Sequence, residues 1–513
     1  MKLKFDSKWL ILFVVLVSVT TMTILMNKTK DSTVDTITST IEIDNDDTTV
    51  DWDALPTKYI ELNETLNITQ SGIYHLSGIM NDGYIYINSD DTANIKIILD
   101  NASIKNATGP AIYCESAGIL AIELIGENTI EDGSARTDSE DTSGAVFSES
   151  DLIISGDGKL KVIANYQDGI VSKDNLKIKN GILDVTSNDD GIRGTDSVYI
   201  LGGDFTIEST GDSIKTTNET DPRKGFILIE DGNFSLKSNA KGIKATNKIL
   251  IHAGHYLIST EDDAVHSNGY LMIADGVIDI NSRDDAMHAD KSLIINGGEI
   301  NVASAYEGIE AQSISINGGS IKLATIDDGV NAGGGSDASS MNRPGANPFD
   351  GDEDCAITIS DGDIYINSAG DGIDSNGWLY INGGSIVVDG PTNNGNGALD
   401  AGLGIIMKGG QVIAIGASGM AESLGENSSI MNASILLNAT ETANTEIEIR
   451  DLDNNILISH TSAKSFNHIA VGLKEFAIGN TYTLYLNGKK QLSFTLSGIT
   501  TIVGEKSRFN RPQ

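Results

Sequence analysis

Cysteine is nearly absent: two in 513 residues cannot build a disulfide framework, so the fold must hold itself together by burial and hydrogen bonding. Proline is scarce as well. Seven residues, about 1.4% against a typical roughly 5%, exclude collagen-like and proline-rich linker architectures. Aromatic residues make up 5% of the chain, which leaves few platforms for stacking on a flat neutral glucan. Basic residues are outnumbered, 35 Lys+Arg against 72 Asp+Glu, and the net charge of −37 repels nucleic acid and every other polyanion unless a cation intervenes. A nucleic-acid partner is excluded on that ground. Long uncharged runs are confined to one, Trp9 to Met26, preceded by Lys2, Lys4 and Lys8 and followed by Lys28 and Lys30. It reads as an export signal: residues 1–8 are expected in the cytoplasm and 9–26 act as signal anchor or signal peptide. The lack of a small-x-small cleavage site favours an uncleaved anchor and a cell-surface location. Residues 27–57 follow as an acidic, Thr-rich linker, a composition suited to a solvated tether.

Glycine and aliphatic residues are plentiful, and they are ordered. An aliphatic column runs Ile170, Ile192, Ile214, Ile243, Val265, Met287, Ile309, Val330, Ile373, Leu399 and Met420, mostly in steps of 21 or 22. A second column, the last glycine of a turn, runs Gly181, Gly203, Gly232, Gly254, Gly276, Gly298, Gly319, Gly362, Gly384 and Gly410 with nearly the same steps. Two columns sharing one period identify a repeat, and the alternating runs between them are strand-like rather than helical. A coil of about 22 residues made of short strands cannot bury its apolar side alone. The expected fold is therefore all-β: a right-handed parallel β-helix over 58–424, with earlier, less regular coils around Ile112 and Val146. Cys114 and Cys355 fall in different coils and should be free thiols. Outward loops are expected where the step lengthens, at Asn218 to Lys224 and at Gly333 to Asp354. A small C-terminal antiparallel β domain is expected over 425–505, from alternating segments such as Tyr482 to Leu486 and the turn Asn487-Gly488.

The segments Gly72-Ile73-Tyr74-His75-Leu76-Ser77-Gly78, Gly109-Pro110-Ala111-Ile112-Tyr113, Gly126-Glu127-Asn128-Thr129 and Asp189-Asp190-Gly191-Ile192-Arg193-Gly194 resemble the bacterial, clostridial-type calcium-binding β-helix carbohydrate-binding domain family. The resemblance covers about residues 58 to 500. It implies a polysaccharide-lyase-like β-helix at the cell surface that binds cellulose and acidic sugars such as polygalacturonate, the pectin backbone, with calcium and without catalysis. Ser213 departs from the pattern, since sibling coils have Gly169 and Gly191, and this puts the turn geometry there in question.

Two positions before the indexed aliphatic lies an acidic column: Asp168, Asp190, Asp212, then Lys241, Asp263, Asp285, Glu307, Asp328 and Asp371, with doubled acids at Asp189, Asp262, Asp284 and Asp327. Carboxylates one coil apart, about 4.8 Å, repel by roughly 1 kcal/mol in bulk water and about 3.5 kcal/mol at an effective dielectric constant near 20. Such a ladder calls for cations. Calcium suits it, since Ca²⁺ takes six to eight oxygens in loose geometry, and Asp168, Asp189, Asp190, Asp212, Asp262, Asp263, Asp284, Asp285, Asp327 and Asp328 are the candidate ligands. The competing reading is that an Asp before Gly simply shapes its turn.

One position after the aliphatic the residues grade from basic to acidic: Val171, Arg193, Lys215, Lys244, His266, His288, Glu310, Asn331, Asp374 and Asp400. Arg193, Lys215, Lys244, His266, His288 and Glu310 are the candidate sugar-contacting residues. The alternative is a solvated face whose charges pair with neighbouring acids, with His266 and His288 partnering Asp263 and Asp285. The leading expectation is a non-catalytic binder of acidic polysaccharide. A calcium-dependent lyase is the enzyme alternative, with Lys215, Arg193 or Lys244 as base, and an adhesin or spacer rod is the structural one.

Overall fold

The computed structural model describes residues 48–134, 142–333 and 351–504. The apolar segment 9–26, most of the linker and most of the Gly333 to Asp354 loop lie outside them. Among the described residues there is no α-helix, only the 3₁₀ turn Trp52–Ala54, and none long and apolar enough to cross a membrane.

The chain winds into a parallel β-solenoid of about 14 turns, each supplying up to three strands. One stack of short strands passes through Asp168–Ser172, Ile192–Gly194, Ile214–Thr216, Ile243–Ala245 and Val265–Ser267, and on to Ile373–Ser375 and Leu399–Ala401. A second stack includes Asn175–Ile178 and Ser197–Ile200, and a third includes Ile182–Ser187 and Asp204–Ser209. Neighbouring strands are in parallel register, so the aliphatic column from Ile170 to Leu399 is one continuous line of facing residues, each essentially inaccessible. Met420 does not continue it: it lies in no strand and is 44% exposed. Inside the third stack, Phe205, Phe234 and Tyr256 pile up as near-parallel rings with centroids 4.6 and 4.7 Å apart, the spacing of the strands that carry them.

The two glycine positions exist for different reasons. The turn glycines from Gly181 to Gly410 all have φ between +76° and +141°, a region that penalises any Cβ. The glycines before the aliphatic, such as Gly191, have no such φ but are crowded: a Cβ at Gly191 would sit 2.6 Å from the Ser213 carbonyl oxygen. Since the second constraint is space rather than dihedral, Ser213 fits. Its N–H still donates to the Lys241 carbonyl at 3.0 Å, and its buried hydroxyl meets Ser209 Oγ at 3.2 Å, so the turn is kept.

At the C-terminal end the sheet changes direction. Gln411–Gly416 pairs antiparallel with Phe466–Gly472, which pairs antiparallel with Asn432–Glu441. Glu446–Arg450, Ile456–Thr461, Thr481–Leu486 and Lys489–Thr495 form a separate four-stranded antiparallel sheet. A second core joins Ile413 and Ile415 of the last coil to Ile447, Phe466, Tyr482 and Phe494. The flank is also tied by buried Asp389, which accepts hydrogen bonds from Tyr365 (2.8 Å) and His460 (2.9 Å). The two cysteines are buried free thiols.

Candidate functional site

The acidic column lies along the N-terminal edge of the first stack, and its carboxylates have a structural task that spacing alone did not reveal. In successive coils one oxygen accepts the backbone N–H of the equivalent residue in the next coil: Asp190 N–H donates to Asp168 Oδ1 (3.0 Å), Asp212 to Asp190 (2.9 Å), Lys241 to Asp212 (2.9 Å), Asp285 to Asp263 (3.0 Å), Glu307 to Asp285 (3.2 Å) and Asp371 to Asp328 (2.6 Å). The turn is thus shaped across coils rather than within one. Doubled acids divide the work. Asp189 and Asp284 face solvent and Asp262 and Asp327 are half-buried, while Asp190, Asp263 and Asp285 are buried.

From Asp168 to Glu307 the second oxygen of the column acids meets outward side chains, and along this face there are two halves. In the first, side-chain cations neutralise it. Arg193 lies 3.0 Å from Asp168 and 3.8 Å from Asp190, Lys215 bridges Asp190 (3.2 Å) and Asp212 (2.9 Å), and Lys241 bridges Asp262 (2.9 Å) and Asp263 (2.5 Å). Burial opposes the charge on Lys215, but Asp190 and Asp212 outweigh it and hold the amine above its ordinary range. Burial would likewise raise the Asp263 carboxyl, yet hydrogen bonds from His266 and Lys241 bring it down to about 2. Asp190 is pushed up to about 6 by burial in spite of Lys215.

His266 and His288 stack one coil apart, centroids 4.7 Å and planes 5° from parallel. Nδ1 of His266 meets Asp263 at 2.8 Å, as a partner reading expects, whereas Nδ1 of His288 meets Glu310 at 2.6 Å and Asp285 only at 3.5 Å. Burial works against a charged His288, but Asp285, Asp290 and Glu310 raise it to about 12 and keep it a cation. Glu310 is therefore engaged with His288.

Beyond Glu310 the second half begins, and its acids have no cation. Asp328, Asp371, Asp374 and Asp400 make no ion pair among the described residues, and one oxygen from each of Asp328, Asp371 and Asp374 lies within 4.8 Å of the others. Burial first, then Asp371 and Asp327, push Asp328 up to about 7. Burial and the neighbouring acids, partly offset by the Gly397 N–H, push Asp371 to about 6. Asp374 is driven well up by burial and by Asp328, Asp371 and Asp400. Glu307 is raised to about 9 by burial and by Asp285 and Glu310. Asn331, in register beside Asp374, keeps Oδ1 buried without a hydrogen-bond partner. Gly370 makes room for the crowding: a Cβ there would come within 2.3 Å of both the Asp327 and Asp328 carboxylates.

Expected metal candidates fall into four clusters of proximate ligand atoms: Asp168, Asp189 and Asp190; Asp262, Asp263 and Asp284; Asp285 with His288 and Glu310; and Asp328 with Asp371 and Asp374, two residues the doubled-acid signal did not single out, while Asp327 joins none of them. Asp212 is engaged with Lys215, and Asp285 with the His288 group. The outward column also extends further toward the N-terminus than expected, as Tyr86, Tyr113 and Phe147 in register. Continuing the column one residue after Ile85, Ile112 and Val146 would have found them.

A family model for carbohydrate-binding domain-containing proteins matches residues 62–308 and, overlapping, 251–340, which together exceed half of the chain. The chain belongs to this family. A carbohydrate-binding domain-containing protein of Acetivibrio thermocellus is 32% identical over 126 residues, 23% of this chain and 44% of the relative, so the match spans less than half of that relative's length. A solved polysaccharide lyase-like protein of C. thermocellum, a gadolinium derivative, aligns at 24% identity over 51% of this chain and 96% of its own, with a TM-score of 0.35.

Proposed function

We propose that this carbohydrate-binding protein holds an acidic polysaccharide, polygalacturonate-like, along the charged face of its solenoid, with Ca²⁺ bridging at the C-terminal coils and without catalysis. The observation that carries the reading is the asymmetry of the face: where Arg193, Lys215, Lys241 and His288 are present the column acids are neutralised, and where no side-chain cation is present Asp328, Asp371, Asp374 and Asp400 stand together. The donor set fits calcium: it is all oxygen, the carboxylates are raised by burial and by neighbouring acids whose repulsion a divalent cation would offset, and the orphaned Asn331 oxygen lies in register beside them. Asp328, Asp371 and Asp374 would hold the ion, which supplies positive charge between protein and sugar carboxylates. The first half of the face suits the metal less, because its second oxygens already meet cations. Of the candidate lyase bases, Lys215 is disfavoured, since two carboxylates hold its amine protonated. The protein is proposed to work at the cell surface, tethered by residues 9–26.

Retention on immobilised polygalacturonate tests this. Retention should be strongest with Ca²⁺, fall sharply in chelator to what direct cation contacts alone can hold, respond poorly to Mg²⁺ with its stricter octahedron, and fall to the same level in Asp371→Asn/Asp374→Asn. Retention undiminished by both chelator and the double substitution would overturn the calcium bridge.

A further inference from the structure

The cationic half of the face follows a pairing rule with one break. Each outward basic side chain meets the column residue three positions before it: Arg193 with Asp190 (3.8 Å), Lys215 with Asp212 (2.9 Å), His266 with Asp263 (2.8 Å) and His288 with Asp285 (3.5 Å). At Lys244 that position is Lys241, a like charge, in the single coil where the column acid is replaced by a base. Lys241 does not relieve the defect, since it is buried and turned to Asp262 and Asp263 of the next coil. The preceding coil does not either, because Asp212 is committed to Lys215. Lys244 is half-buried, in register between Lys215 and His266, and has no ion-pair partner among the described residues.

We infer that Lys244 is the specificity-determining contact of this face, an ammonium left open to receive the carboxylate of a uronic acid residue. This rests on the polysaccharide reading above. In a protein of net charge −37 an unpaired ammonium in register beside Lys215 is a local attraction for an anion. A carboxylate docked there would take the place that an aspartate occupies in every neighbouring coil. Arg193 and Lys215 would then contribute to the field without offering an open partner. The site is separate from Asp328, Asp371 and Asp374, which lie several coils further along, so anion capture and calcium binding can be tested apart.

The experiment uses the full chain and the variants Lys244→Gln and Lys244→Arg, with trigalacturonate, its methyl ester and sulfated dextran as probes. Titration with trigalacturonate in chelator, where no calcium bridge can form, should show binding that weakens at least fivefold in Lys244→Gln and is kept in Lys244→Arg. The methyl ester should bind no better to the wild type than to Lys244→Gln. Melting temperature and calcium affinity should be unchanged in both variants, which separates a contact role from a structural one. Equal trigalacturonate affinity of wild type and Lys244→Gln, or binding by neither, would overturn the inference even if calcium-dependent retention on polygalacturonate stands. Lys244-dependent binding of trigalacturonate together with calcium-independent retention would sustain it while removing the calcium bridge. Sulfated dextran bound more tightly than trigalacturonate, and through Lys244, would reassign the anion from carboxylate to sulfate and refute the uronate assignment.

Discussion

Lowering the pH should stabilise this acidic protein when divalent cations are absent. Asp328 has its pKa raised from an ordinary 3.8 to about 7 by burial and then by Asp371 and Asp327, and Asp371 from 3.8 to about 6 by burial and then by Asp400 and Asp327. For an acid raised in the folded state, the native form binds protons more tightly than the unfolded one. The penalty of holding it charged grows from pH 3.8 upward and is complete above the folded pKa. One proton corresponds to about 1.36 kcal/mol per pH unit, and because both forms titrate only partly at the ends of the range, Asp328 makes pH 5 more stable than pH 7 by about 2 kcal/mol and Asp371 adds about 1 kcal/mol. Because Asp327 contributes to both shifts, the sum is a ceiling. With an unfolding entropy of roughly 2.1 cal/mol/K per residue over roughly 430 folded residues, 1 kcal/mol moves Tm by about 1 °C. Calorimetry in chelator should therefore find a Tm about 3 °C higher at pH 5 than at pH 7.5. Saturating Ca²⁺ should raise the pH 7.5 value and flatten the profile. Asp371→Asn/Asp374→Asn should raise Tm at pH 7.5 in chelator and remove the response to Ca²⁺. A Tm indifferent to pH between 5 and 7.5 in chelator, or a double variant that still responds fully to Ca²⁺, would refute the reasoning.

Gly298→Ala should lower the denaturant midpoint by an amount equivalent to about 1–3 kcal/mol, since Gly298 has φ +94° and an added Cβ would meet the Gly276 carbonyl oxygen at 2.7 Å; an unchanged midpoint would contradict the turn argument. Phe234→Ala, which removes the central ring of the Phe205–Phe234–Tyr256 stack, should cost about 3–5 kcal/mol by chemical denaturation. Incubation with polygalacturonate and Ca²⁺ at alkaline pH should yield no unsaturated product absorbing in the ultraviolet, and product that disappears in Lys215→Ala would replace binding with lyase chemistry.

Much of the solenoid was legible because its period is enforced by local physics. A turn that needs φ near +100° must return a glycine every coil, and a core line must return an aliphatic, so Gly181 to Gly410 and Ile170 to Leu399 mark the coils in the sequence itself. Met420 imitates the column without belonging to it, because a small-residue/Gly/aliphatic triplet also suits the irregular segment after Gly416. The site was harder to read. Spacing located the acidic column but could not tell its two oxygens apart, one bound to the next coil's N–H and the other free to meet a cation. Doubled acids drew attention to Asp189, Asp262 and Asp284, whereas Asp371 and Asp374, three residues apart in one coil, meet Asp328 only through the register with the preceding coil. The pairing of His288 with Glu310 rather than Asp285 likewise depends on side-chain direction.

The claim that the unneutralised acids at the C-terminal coils bind calcium is tested most directly by isothermal titration of Ca²⁺ into the full chain at neutral pH, beside Asp371→Asn/Asp374→Asn. The account predicts saturable binding accompanied by proton release, since Asp328 and Asp371 titrate at about 7 and about 6, and loss of that binding in the double variant. Binding of equal affinity and stoichiometry in the double variant, or none in the wild type, would contradict it.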